Sequence, residues 1–64
     1  MRLTPVQRKV VTLIAEGMSK QDVAGKVLAS HRTVGNHISE IKLRLGAKTL
    51  AHAVALAIKT GEIA

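Results

Sequence analysis

The chain has 64 residues, with ten Lys and Arg against four Asp and Glu for a formal charge of +6, and it contains no Cys, Phe, Tyr or Trp. That length makes one small domain near the lower limit for folding without staples, and the missing cysteines exclude disulfides, thiolate metal sites and thiol catalysis. A core limited to Val, Ile, Leu, Ala and Met suits helices better than sheet; the absent rings exclude base stacking on single strands, and the surplus of cations draws polyanions, nucleic acid first.

Thr4-Pro5-Val6-Gln7 opens the first expected helix, residues 5–16. Thr4 caps it, Pro5 suits the first helical position and Gln7 completes a capping box. Val10, Val11 and Ile14 form its apolar face, widened by Val6 and Leu13, and Gly17 is its stop. Ser19 caps a short second helix, residues 20–27, and Asp22 favours the same N-terminus. Val23, Ala24 and Val27 are its expected buried side. A compact turn, Val27-Leu28-Ala29, leads to the cap Ser30, and two helices so closely joined suggest a helix-turn-helix.

The third helix spans residues 31–45 and ends at Gly46. Val34, Ile38, Ile41 and Leu45 fall on one stripe at helical period, so Gly35 lies inside a helix although glycine there costs roughly 1 kcal/mol against alanine. Arg32, Gly35, Asn36, Ser39 and Leu43 lie on the opposite side, which leaves a functional face as the reading for Gly35. His37 flanks the core and is expected to be packed and hydrogen-bonded. The fourth helix, capped by Thr49, spans residues 50–60 before Gly61. Leu50, Ala53, Val54 and Ala57 make one apolar face, while Ala51, His52, Ala55 and Leu56 point elsewhere, so the helix can be buried on a second side. A second copy of the chain is the expected partner there, unless these alanines are simply good surface helix formers.

Residues 1–64 thus read as a single all-α, four-helix domain. The pattern resembles the LuxR-type (GerE-type, FixJ/NarL-type) DNA-binding domain of bacterial transcription regulators. The matching words run in order from L-T-P, L-I-A-E-G-M-S and D-V-A through S-H-R-T-V-G-N-H-I-S and L-G-A to A-V-A-L-A-I-K-T-G-E-I. The resemblance implies a third helix in the major groove, a second helix supporting it, and a fourth that pairs domains as a homodimer on double-stranded DNA. It also leaves room for a contact with RNA polymerase. The family's base-facing positions lie two, three and six residues after the threonine of T-V; here those are Gly35, Asn36 and Ser39. The chain departs from the family pattern at Val6 and Gln7, where Arg-Glu is common, at Gln21 beside Lys20, where a lysine is common, at Lys42, where an apolar residue is usual, and at Leu50, often arginine.

In a major groove Asn suits adenine and Arg suits guanine. Asn36 is therefore the leading base reader, Ser39 a more tolerant one, and Arg32 can reach a base or a phosphate. Gly35 either lets the helix backbone approach the bases or removes one contact. Lys20, Thr33, Lys42, Arg44 and Lys48 are the phosphate candidates, with Ser19 as a further helix-terminal hydroxyl. Arg2, Arg8, Lys9, Lys26 and Lys59 read as general surface charge. Binding through such groups must weaken steeply with added salt.

No paired carboxylates, nucleophile–base set or phosphate loop is visible, so an enzyme is not expected, and neither a cofactor nor a histidine metal site is. With no apolar run near 18 residues and no signal-like start, no membrane contact is expected and the cytoplasm is the expected compartment. The competing readings are a promoter-recognition domain like region 4 of sigma factors and, in a different class, a basic protein-interaction or dimerisation module with only nonspecific DNA affinity. The apolar fourth helix argues for the LuxR type over the sigma type.

Overall fold

Each helix begins on the hydroxyl placed before it in the sequence. The computed structural model describes residues 3–63 and contains α1 (Pro5–Ala15), α2 (Lys20–Lys26), α3 (His31–Leu45) and α4 (Leu50–Lys59), with no strand among the described residues. Thr4 Oγ1 accepts from the Gln7 N–H at 3.1 Å while Gln7 Oε1 accepts from the Thr4 N–H at 3.0 Å, a complete capping box. Ser19, Ser30 and Thr49 accept from the backbone N–H groups of Asp22, Thr33 and His52 at 3.2, 3.0 and 3.0 Å. Each such cap contributes about 1 kcal/mol, a large share for so small a core.

The four helices also end alike. A residue with positive φ follows each one: Gly17 (95°), Leu28 (55°), Gly46 (68°) and Gly61 (80°). The N–H of the next residue then reaches back, Met18 to Leu13, Ala29 to Ala24, Ala47 to Lys42 and Glu62 to Ala57, at 3.2, 3.0, 2.8 and 2.8 Å. This is the Schellman geometry, which favours glycine because a Cβ strains the left-handed region. α2 alone uses a leucine there. α1, α2 and α4 each stop one residue short of the ranges expected from sequence. Glu16, Val27 and Thr60 are C-caps, whose N–H groups still bond into the helix while the chain is already leaving it.

The core joins Val10 and Val11 of α1, Val23 and Ala24 of α2, Val34, Ile38 and Ile41 of α3, and Ala53 and Ala57 of α4, together with Leu3 and Ile63 from the two chain termini. α3 packs against all three other helices. Ala53 and Ala57 are fully buried, so α4 has only methyl groups between its backbone and its neighbours at those positions and can approach them closely. Leu13, Ile14, Val27, Leu45, Leu50 and Val54 pack around the rim.

Two expectations for α1 change. Val6 does not widen the apolar face but is 47% exposed, while Gln7, a polar residue, is buried at 3%. The reason is local: the capping box turns the Gln7 side chain back over the helix start, where its amide is satisfied by the cap, and Val6 is rotated outward. The chain ends meet beside this cap, the Leu3 N–H donating to Glu62 Oε1 at 2.8 Å. Met1, Arg2 and Ala64 lie outside the described residues, and with them the surface charge expected of Arg2 and the outermost limits of the 1–64 domain. No helix among the described residues is long and apolar enough to cross a membrane.

Candidate nucleic-acid interface

The stripe of α3 that faces the other helices is Val34, Ile38 and Ile41, all buried, so the opposite side of the helix faces solvent. Arg32, Asn36, Ser39 and Leu43 lie there and all are exposed. α3 has 15 residues, about 22 Å at 1.5 Å per residue, against a longest molecular dimension of 27 Å. The face therefore runs along most of the molecule.

Gly35 sits on the edge of this face, half-exposed and helical, and a Cβ built on it meets nothing within 4 Å. No neighbour in the free protein requires glycine at that point. At the start of α3, Ser30 Oγ accepts from the Thr33 N–H and donates to Thr33 Oγ1 at 2.9 Å. Thr33 Oγ1 is then an acceptor in that bond, and its own proton is directed elsewhere. That combination, an exposed helix start with a hydroxyl whose own hydrogen is left free of this bond, suits an anionic oxygen.

The cations read as phosphate candidates differ in exposure and in their partners. Lys20, the first residue of α2, and Lys48, in the loop before α4, are exposed. Lys42 is half-buried, and the helical period places it at the edge of the α3 core stripe. Arg44 is also half-buried, and its Nε donates to Glu40 Oε1 at 3.2 Å, an i,i+4 ion pair that a phosphate would have to compete with. The Lys48 N–H donates to His52 Nδ1 at 3.1 Å. Nδ1 is the acceptor in that bond, and the imidazole braces the loop that carries Lys48. His37 is half-buried on the flank of the core as expected, but its ring makes no hydrogen bond among the described residues.

α4 has a different second surface. Ala51, His52 and Ala55 are exposed and Leu56 is half-buried, while Ala53 and Ala57 face inward. Ile58, 51% exposed, joins Ala51 and Ala55. It was missing from the sequence-derived set although its spacing, three residues after Ala55 and seven after Ala51, places it on the same helical side. The strained, 93% exposed Leu28 was also missed. The one signal for it is the absence of a glycine where each of the other helices has one.

The family model for bacterial regulatory proteins of the luxR family, GerE, matches residues 1–57. The chain is 37% identical over 59 residues to Rv0890c of Mycobacterium tuberculosis, a protein of the HTH-type transcriptional regulator class; the match takes in 92% of this chain but 7% of that much longer protein. It is 33% identical over 61 residues to the spore germination protein GerE of Bacillus subtilis, covering 95% of this chain and 82% of GerE. A solved structure of the transcription factor GerE superposes with a TM-score of 0.93 at 29% identity, covering 97% of this chain and 92% of that one. Four helices on that plan, and a sequence match along nearly the whole length, agree with the earlier resemblance. The chain belongs to the luxR family of bacterial regulatory proteins, a class of DNA-binding transcription regulators and not of enzymes.

Proposed function

We propose that residues 1–64 form a sequence-specific, double-stranded DNA-binding domain of a bacterial transcription regulator, working in the cytoplasm as a homodimer. In this reading α3 enters the major groove. Asn36 pairs with an adenine edge, Arg32 and Ser39 read neighbouring bases, and Gly35 lets the helix backbone approach. Lys20, Thr33, Lys42, Arg44 and Lys48 hold phosphates around the groove, and Ala51, His52, Ala55, Leu56 and Ile58 form the surface on which two copies meet. A contact with RNA polymerase belongs to the same reading.

The observation that carries it is the outward face of α3: donors and acceptors suited to base edges, exposed opposite a fully apolar stripe, in a chain of net charge +6. A helix with that division offers one side to the protein core and the other to a polar, anionic groove. The exposed apolar side of α4 supports pairing, since Ile58 and the alanines beside it have no cover in a single copy.

Selection of bound duplexes from a random DNA library at near-physiological salt tests the proposal. An enriched inverted repeat is the expected result. Binding without enrichment overturns sequence-specific readout and leaves the other reading, a basic interaction module with nonspecific DNA affinity.

A further inference from the structure

Leu43 is 82% exposed on α3. One exposed leucine by itself needs no explanation, but its position does. At about 100° per residue, Leu43 falls within about 20° of Asn36 and about 40° of Ser39 around the helix. It is therefore close to the middle of the outward face, diametrically opposite the buried stripe of Val34, Ile38 and Ile41. Its neighbour Lys42 occupies a half-buried position on the edge of that stripe. The reverse order, leucine at 42 and lysine at 43, would bury more apolar surface and leave the charge in water. The order found breaks the local pattern with no gain inside the free domain, and such breaks mark functional positions.

We propose that Leu43 is a specificity-determining residue that contacts the 5-methyl group of a thymine in the major groove. The proposal rests on the reading of α3 as the recognition helix. Thymine is the one base that presents an apolar group on the groove floor, and an apolar side chain is its complement. Leu43 lies two turns beyond Asn36, about 10 Å along the axis at 1.5 Å per residue. With the helix lying along the groove and about 3.4 Å per base pair, the thymine is about three base pairs from the one Asn36 addresses. Lys42, next along the helix and about 100° round from Leu43, is on the side where a cation can reach the flanking phosphates.

The test removes the methyl group and nothing else. Once selected duplexes are in hand, each thymine is replaced singly by deoxyuridine, and affinities are measured for the full chain and for Leu43→Ala. Thermal unfolding confirms that the variant keeps its fold, as an exposed position should. The expected result is one position per half-site, about three base pairs from the Asn36 contact, where uracil weakens the unaltered protein about threefold to fivefold and leaves Leu43→Ala unaffected. An enriched site at which uracil substitutions act alike on both proteins overturns the role of Leu43 alone. Failure to enrich any site overturns the recognition-helix reading and the Leu43 contact together.

Discussion

α3 and α4 are built by the same rules up to the point where they meet the core, and then diverge. Both begin on a hydroxyl cap, both end on a left-handed glycine, and both bury one stripe. Outside that stripe α3 carries Arg32, Asn36 and Ser39, side chains that seek polar partners, with Leu43 as its one exposed aliphatic residue, whereas α4 carries Ala51, Ala55 and Ile58, which seek to leave water. The inner stripes differ too. α3 fills its side with Val34, Ile38 and Ile41, while α4 uses Ala53 and Ala57, so one helix supplies core volume and the other supplies closeness. An amphipathic helix is half described by its buried face; what the remaining half is made of decides the chemistry of the partners it can meet.

The strongest challenge to this contrast is in the inner stripes. Ile41→Ala should lower unfolding free energy by about 2–5 kcal/mol, seen in urea titration, because it leaves a cavity at a fully buried position of the core. Ala53→Leu should cost about 1–3 kcal/mol for the opposite reason, added volume where backbones are close. If Ala53→Leu were neutral, closeness would not be the role of the α4 alanines.

The outer faces come next. Ile58→Lys should leave binding to a single half-site intact but weaken binding to an inverted repeat on the order of 100-fold, through lost pairing of the two copies. Asn36→Ala should act the other way round, relaxing the preference at one base pair by about 1–3 kcal/mol in repeat selection while the two copies still bind together. Equal effects of the two variants on half-site and repeat would erase the distinction between the faces.

Smaller effects sharpen the role of the turns and glycines. Leu28→Gly should raise stability by about 1 kcal/mol, since it relieves a left-handed leucine that touches water on nearly every side. Gly25 and Gly35 form an internal control, because both are helical and a Cβ on either meets nothing within 4 Å. Alanine at each should stabilise the free domain by up to about 1 kcal/mol. Only Gly35→Ala should also weaken DNA binding, if the backbone there lies against the bases. An unchanged affinity would reduce Gly35 to a missing contact.

Much of the fold was legible because the signals are short-range. Thr4, Ser19, Ser30 and Thr49 cap the backbone three residues ahead, and Gly17, Gly46 and Gly61 end helices by their own backbone freedom. The outward face of α3 followed from the helical period alone, and so did the separation of Ala53 and Ala57 from Ala51 and Ala55. The site was legible as a set of positions, and the i,i+4 pairing of Arg44 with Glu40 and the spacing of Ile58 from Ala51 and Ala55 lie within the same short range; how far each side chain is covered required the folded chain.

What the sequence by itself determined, then, was the number of helices, their starts and which side of each turns inward, since these depend on interactions within about four residues along the chain. Tertiary structure decided the rest: that Leu28 takes a conformation better suited to glycine, and that the Leu3 backbone finds the Glu62 carboxylate 59 residues away. Such outcomes depend on how four helices share one small core, and packing of that kind has no periodicity for a linear sequence to display.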